Sequence, residues 1–310
     1  MPGMKIGFFA FIGFFITIAG TLFADEAPKI RIVASFTVPA DWVRQVAGSR
    51  AEVISLVPAN ADNHAYQPSP GDLKKIRNAD FVFAISPKFE TWLDAVSRNE
   101  RTKNPEKFIF LGESLLGDNI ACGCGHHHHD HAHGEISDPH FWTDPRLVAE
   151  HCIPIIEKVL NADGKNFRQA LAKFERDAHE ALEKIPPERR KIVTYHNNMT
   201  HFAKRFGFEI AGTILTSSST EAADPSAKTL ARLSRKIREE NIPIFTDNTV
   251  SSRLPATLAK SAGVAEPIVL RVDALDVPGM PADSYLGMLR ENLRALLTAC
   301  NGQNSDKSIR

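Results

Sequence analysis

Short apolar runs rich in β-branched residues recur along the chain and alternate with segments of helical periodicity. In the first half the apolar runs lie at residues 29–36, 51–58, 81–86 and 107–112, with helix-like segments at 39–48, 70–79 and 88–98. In the second half the runs lie at residues 191–196, 208–214, 242–248 and 267–274, with helical patterns after them. This alternation predicts an α/β fold of two lobes, each with a mostly parallel sheet flanked by helices.

One long amphipathic pattern separates the two series. Its apolar positions recur three or four residues apart, as expected for one face of a helix, at Leu171, Phe174, Ala178, Leu182 and Ile185. A helix of about 20 residues spans about 30 Å, roughly the diameter of a domain. We therefore predict an N-terminal lobe over residues 25–163, a rigid linker helix over 164–187 and a C-terminal lobe over 188–310.

The first residues have the pattern of a secretory signal peptide. Lys5 precedes an apolar run that begins at Ile6, and the small residue Ala24 precedes two acidic residues. An uncleaved anchor is the alternative, because the run extended to Phe23 falls just short of a membrane span. A lipoprotein is disfavoured because no cysteine lies directly after the run. We predict that residues 1–24 are removed and that the protein works in the periplasm.

The charge balance limits the possible partners. Lys plus Arg and Asp plus Glu number 37 each, so no net field draws the chain to nucleic acid or to an acidic membrane surface. We expect a monomer without a nucleic-acid partner.

The cysteine content argues against a fold held by disulfides. Four cysteines are too few for a disulfide scaffold in a chain of this length. Cys152 and Cys300 are either a pair or buried thiols.

Four residues that can bind metals stand just beyond the ends of predicted strands: His64, His140, His196 and Asp273. In open α/β sheets, ligands bind in the crevice outside the carboxyl ends of the strands. Two of the four come from each lobe, so a shared site would lie in the interlobe cleft. Taken singly, each histidine has a plainer interpretation as a solvated or hydrogen-bonded residue. Together, three imidazoles and one carboxylate suit tetrahedral Zn²⁺.

A histidine-rich tract precedes His140. The segment CGCGHHHHDHAHGEISDPHFW, residues 122–142, contains seven of the twelve histidines. Its position in the middle of the chain and its interruption by Asp130 disfavour a purification tag. We predict auxiliary metal sites in the loop 122–135, at His126, His127, His128, His129, His131 and His133. Clustered imidazoles favour zinc over manganese, although such a tract can also be a plain surface loop.

Two cysteines at the start of this tract leave several possibilities open. Cys122 and Cys124 are separated by one residue, so a disulfide between them would close a small, strained ring. Their thiolates can instead join the histidines around a metal, or pair with another molecule.

Several fragments resemble motifs of the zinc and manganese substrate-binding proteins of ABC transporters, the cluster A-I or cluster 9 family. They are NHAYQPSPGDLKKI, SDPHFWTDPRLV, TYHNNMTHFAKRFGFEIAG, IFTDNTVSSRLPATLAKSAG and VDALDVPGMPADSYLGMLRENLRAL. They follow the family's order and cover essentially the whole chain after the signal peptide, with DPHxW the most specific. The resemblance implies two α/β lobes, a rigid linking helix and a metal held between the lobes.

Carried over position by position, the resemblance implies metal ligands at the three histidines, with Asp273 where the family often has a carboxylate. Two positions depart from the family pattern. His201 stands where an aromatic residue is common, and is either a group behind the ligands or a surface residue. Asp247 stands where a glutamate is usual, and is a reserve fourth ligand. Zinc-type members often carry a His-rich insertion before DPHxW, which manganese-type members usually lack.

The expected function is the capture of Zn²⁺ as a transported ion and its delivery to the permease of an ABC transporter. A manganese-binding homologue is the alternative within the family. A secreted zinc hydrolase is disfavoured, because the chain has no HExxH motif and offers a carboxylate for the position that water would need. A storage protein or adhesin would use the loop 122–135 and lack the interlobe site.

Deletion of residues 122–135 should lower the number of zinc ions bound while leaving the tightest affinity nearly intact, because ordering a polar tract reduces the gain from each coordinate bond. Metal stoichiometry and competition titration of the folded deletion variant check this. Loss of the tight site would mean that the loop supplies a primary ligand. A storage protein would instead lose all bound zinc, and a hydrolase would show turnover.

Overall fold

Four parallel strands form the sheet of the N-terminal half in the computed structural model, which describes residues 28–116, 138–215 and 225–301. The strands are β1 Ile30–Ala34, β2 Ala51–Ser55, β3 Phe81–Ala84 and β4 Phe108–Phe110, in the order β2-β1-β3-β4. The helices that connect or follow them are α1 Thr37–Ala47, α2 Pro70–Asn78, α3 Thr91–Lys103 and α4 Glu113–Leu116. Crossover helices cover the sheet, which explains why its central strands are apolar runs rather than alternating ones.

The start of α2 shows how the sequence sets an element boundary. The Ser69 hydroxyl accepts from the Asp72 N–H at 3.3 Å, and the Asp72 carboxylate accepts from the Ser69 N–H at 2.8 Å. This reciprocal capping box, with Pro70 at the first helical position, satisfies amide groups that the helix itself leaves free. The capping box therefore fixes the residue at which the long loop that carries His64 ends and α2 begins.

The second half repeats the strand-helix alternation with shorter strands. They are β5 Lys191–Thr194, β6 Glu209–Thr213, β7 Phe245–Asp247 and β8 Ile268–Leu270, with helices α8 Thr200–Phe206, α9 Ala227–Glu240, α10 Arg253–Ala262 and α11 Tyr285–Asn301. Strands β5 and β6 pair in parallel, as do β7 and β8, and one parallel bridge from Val193 to Ile244 joins the two pairs. The predicted α/β fold with parallel sheets flanked by helices is confirmed.

A nearly continuous helical region connects the halves. It consists of α5 Pro145–Leu147, a π turn over Val148–Cys152, α6 Ile153–Leu160 and the long helix α7 Lys165–Leu182. Pro154 has no N–H to donate to the preceding turn, and the wider π turn lies directly before it. Helix α7 buries the apolar stripe of Phe167, Leu171, Phe174, Ala178 and Leu182.

One apolar core extends across both halves. It runs from the N-terminal sheet through α6 and α7 to α11, while a smaller cluster lies beneath α9 and α10. Buried hydrogen bonds reinforce the contact: the Trp142 indole donates to the Val272 carbonyl at 2.8 Å, and the Tyr285 hydroxyl donates to the Trp142 carbonyl at 2.5 Å. The Asp41 carboxylate accepts from the Tyr285 N–H at 2.9 Å, so α11 begins on the N-terminal half.

The structure decides one alternative from the sequence, whether Cys152 and Cys300 form a pair or are buried thiols. Within residues 28–116, 138–215 and 225–301, Cys152 and Cys300 are buried free thiols. In the same ranges, no helix combines the length and apolar character needed to cross a bilayer. The predicted signal peptide, the loop 122–135 and Cys122 with Cys124 lie outside the described residues.

Truncation of Phe174 to alanine should lower the free energy of unfolding by about 3–5 kcal/mol, because a large ring leaves the shared core. Lys173→Ala is the matched control on the exposed face of the same helix turn, where loss of an ion pair with Asp177 should cost at most about 1 kcal/mol. Urea denaturation of both variants measures the difference. Equal losses would show that α7 is not packed as described.

Candidate metal centre

Three imidazoles and one carboxylate converge between the two halves. His64, His140, His196 and Asp273 each offer a donor atom, and these atoms all lie within 4.8 Å of one another. His140, His196 and Asp273 are fully buried, and only His64 keeps a small exposed fraction, 6% of its side chain. The structure therefore brings together the four residues that the sequence placed beyond strand ends.

The distances between donor atoms are close to those of four ligands around one small ion. His140 Nε2 lies 3.2 Å from His64 Nε2 and 3.2 Å from Asp273 Oδ1. Asp273 Oδ2 lies 3.3 Å from His196 Nε2 and 3.8 Å from His64 Nε2. Donors about 2.0–2.1 Å from a central tetrahedral Zn²⁺ are separated by about 3.3–3.4 Å. The four side chains can therefore surround one ion with little rearrangement.

The loop after β2 positions His64 by hydrogen bonds at the residue's own N–H and at the residue before it. The Asp62 carboxylate accepts from the His64 N–H at 2.8 Å, and the carbonyl of Asn63 accepts from the Trp92 indole at 3.1 Å. The Asn63 amide then donates to the Asp273 backbone carbonyl at 3.2 Å, across the two halves. Two ligand-bearing segments are thus tied together through Asn63.

His140 is held by its own Asp-Pro-His segment and by aromatic neighbours. The Asp138 carboxylate Oδ1 accepts from the His140 N–H at 2.9 Å and from its ring Nδ1 at 2.6 Å. Since the carboxylate accepts, Nδ1 is the nitrogen that donates to it. The ring is thereby oriented with Nε2 toward the other ligands. The rings of Trp142 and Phe89 lie 5.0 and 5.9 Å from the imidazole, centre to centre. This apolar wall excludes water from one side of the centre.

His196 and Asp273 have polar atoms that the protein leaves unsatisfied. Among the described residues, neither ring nitrogen of His196 and neither carboxylate oxygen of Asp273 has a hydrogen-bond partner, although all four atoms are buried. Buried polar atoms are normally hydrogen-bonded, and an unpaired buried carboxylate is costly. A cation between these side chains satisfies both, so the donor set fits a divalent metal.

The electrostatics of the metal-free protein are dominated by Asp273. Burial alone would raise the pKa of its carboxyl group, but His140 and His196 outweigh burial and hold the pKa well below its ordinary value. Burial also lowers the pKa of His140, yet the charges of Asp273 and Asp138 overcome this effect and raise it to about 10. For His64, burial wins over the attraction of Asp273 and lowers the pKa to about 3.

Asp247, the reserve ligand, has both carboxylate oxygens engaged in hydrogen bonds with other groups. Its Oδ1 accepts from the N–H and the hydroxyl of Thr249 at 2.9 and 2.7 Å, and its Oδ2 accepts from the Val272 N–H at 3.2 Å. Burial and the nearby Asp273 raise the pKa of Asp247 to about 6. It lies outside the four-residue cluster and supports the chain just before Asp273.

His201 also lies outside the cluster, and its Nε2 donates to the Asp138 carbonyl at 2.8 Å. The six histidines of the loop 122–135 lie outside the described residues. Asp138 and Phe89 are not among the site residues predicted from the sequence. An aspartate two residues before a candidate histidine is a local signal for Asp138. Nothing in the pattern around Phe89 singles it out, because its contact with His64, 5.2 Å between ring centres, comes from a distant loop.

Comparison with known proteins places this geometry in a family. The model of "Zinc-uptake complex component A periplasmic" (ZnuA) matches residues 32–299. The manganese ABC transporter substrate-binding lipoprotein PsaA of Streptococcus pneumoniae is 25% identical, over 91% of this chain and 92% of its own length. The zinc-binding protein AdcA of Streptococcus pyogenes is 26% identical, over 86% of this chain and 55% of its own length.

A solved structure has the same fold. The periplasmic zinc binding protein TroA from Treponema pallidum superposes with a TM-score of 0.71 at 22% identity, over 88% of this chain and 99% of that chain. The family match extends over nearly all described residues and includes both halves and the four converging side chains. The chain therefore belongs to the ZnuA family of periplasmic metal-binding proteins of ABC transporters.

Proposed function

We propose that the protein captures Zn²⁺ in the periplasm through His64, His140, His196 and Asp273 and delivers it to an ABC permease. The observation that carries the proposal is the buried Asp273 carboxylate, which has no hydrogen-bond partner among the described residues and faces imidazole nitrogens at 3.2–3.8 Å. A divalent cation among these donors compensates the carboxylate with a larger charge than the proton of His140 supplies.

Zinc is favoured over manganese by the donor set. Imidazole nitrogens suit Zn²⁺, and manganese prefers oxygen ligands. The histidine-rich tract before His140 adds donors of the same kind. AdcA and TroA are named for zinc, which supports the same choice.

Manganese is the second candidate, and two observations favour it. Relatives named for manganese include PsaA and the manganese-binding lipoprotein MntA of Halalkalibacterium halodurans, 24% identical over 87% of this chain. Both oxygens of Asp273 are unengaged among the described residues and lie near imidazole nitrogens, so the carboxylate can bind a larger ion through two oxygens.

The character of the site supports transport rather than catalysis. The family is one of transport proteins, which work with a permease and an ATPase. A hydrolytic zinc site keeps one position open for water and places a base beside it. Here four protein side chains fill a tetrahedral shell, and the nearby carboxylates of Asp138 and Asp247 are engaged in hydrogen bonds.

The test is competition titration of metal-free protein with zinc and with manganese. We expect one tight Zn²⁺ per chain and only weak binding of Mn²⁺, because three imidazoles and one carboxylate suit zinc, whereas manganese prefers oxygen ligands. Manganese bound as tightly as zinc would show that the protein is a manganese-binding homologue instead. Absence of any tight ion would overturn the proposed function.

His64→Ala, His140→Ala and His196→Ala should each weaken zinc binding by at least about tenfold to a hundredfold, because removal even of groups that support ligands costs that much. His151→Ala is the matched control, since His151 lies in the π turn outside the cluster. Chelator competition gives the affinities. Unchanged affinity in all three cluster variants would show that zinc binds elsewhere.

The affinity for zinc should rise with pH well above the ordinary imidazole range. In the metal-free protein, His140 keeps its proton up to a pKa of about 10, and zinc must displace that proton. Apparent affinity should therefore rise by about tenfold per pH unit from about pH 6.5 to 8.5, with about one proton released per ion.

Titration calorimetry in buffers of different ionisation enthalpy measures the proton release directly. His64, with a pKa of about 3, is already neutral and contributes no proton. A profile that becomes flat above pH 7, with no proton released there, would show that His140 is neutral before zinc arrives.

A further inference from the structure

Asp138 connects a candidate ligand in the first half to a helix in the second. It is buried, with 4% of its surface exposed. Its Oδ1 accepts from both the backbone N–H and the ring Nδ1 of His140, at 2.9 and 2.6 Å. Its Oδ2 accepts at 2.9 Å from the N–H of Thr200, the first residue of α8.

We infer that Asp138 is the positioning residue of the metal centre: its carboxylate aims the His140 imidazole at the ion and joins that ligand to α8. The inference rests on the proposed function, since it assumes that His140 is a ligand. It assigns Asp138 a role in metal affinity, separate from its role in holding two segments together.

The first step concerns the imidazole. A ring that donates from Nδ1 to a carboxylate is fixed both in tautomer and in rotation, and its Nε2 becomes a stronger donor to a metal. Here the Nδ1 contact leaves Nε2 at 3.2 Å from Asp273 Oδ1 and at 3.2 Å from His64 Nε2. The direction that Asp138 imposes is therefore the direction of the other donors.

The second step concerns the two halves. Thr200 lies four residues after His196, so one carboxylate spans the segments that carry two candidate ligands. The His201 ring strengthens the same junction by donating to the Asp138 carbonyl at 2.8 Å. Separation of His140 from α8 would break the Thr200 contact and free the Asp138 carboxylate to move. Ligand geometry and the junction between the halves therefore depend on the same side chain.

A nearby residue provides the matched control. The Thr143 hydroxyl donates to the His140 carbonyl at 2.9 Å and accepts from the Phe202 N–H at 3.2 Å. It joins the same segment to α8 and is equally buried, but neither of these bonds involves the imidazole ring. Thr143→Val keeps the shape of the side chain and removes these bonds. It reports the effect of loosening the junction alone.

The experiment measures zinc affinity by chelator competition in Asp138→Asn, Thr143→Val, His140→Ala and the double variant Asp138→Asn with His140→Ala. Thermal melting of each protein confirms folding, and Asp138→Ser serves as a second variant if Asp138→Asn does not fold. Asp138→Asn should weaken zinc binding by about tenfold to a hundredfold. Thr143→Val should stay within about threefold of the unmodified protein, as expected for an uncoupled site.

The double variant distinguishes positioning from a purely structural effect. If Asp138 acts through the imidazole, Asp138→Asn should change affinity by less than about threefold once His140 is alanine. An equal loss with and without the imidazole, or an equal loss in Thr143→Val, would overturn the inference. So would unchanged affinity in Asp138→Asn. In each of these cases a loss in His140→Ala would leave the proposed function standing. Unchanged affinity in His140→Ala would overturn the inference, and unchanged affinity in His64→Ala and His196→Ala as well would overturn the proposed function.

Discussion

The buried carboxylate of Asp273 is the constraint on which the rest of the centre depends. It is fully buried, and the polar groups of the described residues nearest to it are the imidazole nitrogens of His140, His196 and His64, at 3.2–3.8 Å. A carboxylate in this position needs a nearby positive charge. In the metal-free protein that charge is the proton of His140, whose pKa is raised to about 10. A divalent ion replaces the proton with a larger charge at the same place, so proton and metal compete for one set of atoms.

The fold brings these atoms together at the carboxyl ends of strands, where parallel sheets open their crevice. His196 lies two residues after the end of β5, Asp273 lies three residues after the end of β8, and the long loop after β2 carries His64. The shared core keeps the two crevices facing each other: Trp142, next to the His140 segment, donates to the carbonyl of Val272, the residue before Asp273. The packing that joins the halves is therefore also the packing that sets the ligand distances.

Much of this arrangement could be predicted from the sequence, because the signals are local. Strand ends, the DPHxW segment and the amphipathic stripe of α7 each depend on neighbouring residues. The choice between Asp247 and Asp273 could not be made from local signals, since both are buried acidic residues near strand ends. It depends on which carboxylate other groups satisfy: Thr249 lies only two residues after Asp247, but the fold alone brings the Val272 N–H to it. The contact of Phe89 with His64 is likewise non-local.

The way in which the ligands are held also bears on the choice of ion. His140 is fixed by Asp138 and lies against Trp142, whereas Asp273 is held through its backbone by Asn63 and has both oxygens free of hydrogen bonds among the described residues. The ring of His140 therefore offers its nitrogen in one fixed direction, whereas the free carboxylate can bind through one oxygen or two. Under the proposed function, selectivity between metals that differ in size and coordination number depends on how this adjustable carboxylate completes a set of three nitrogen donors.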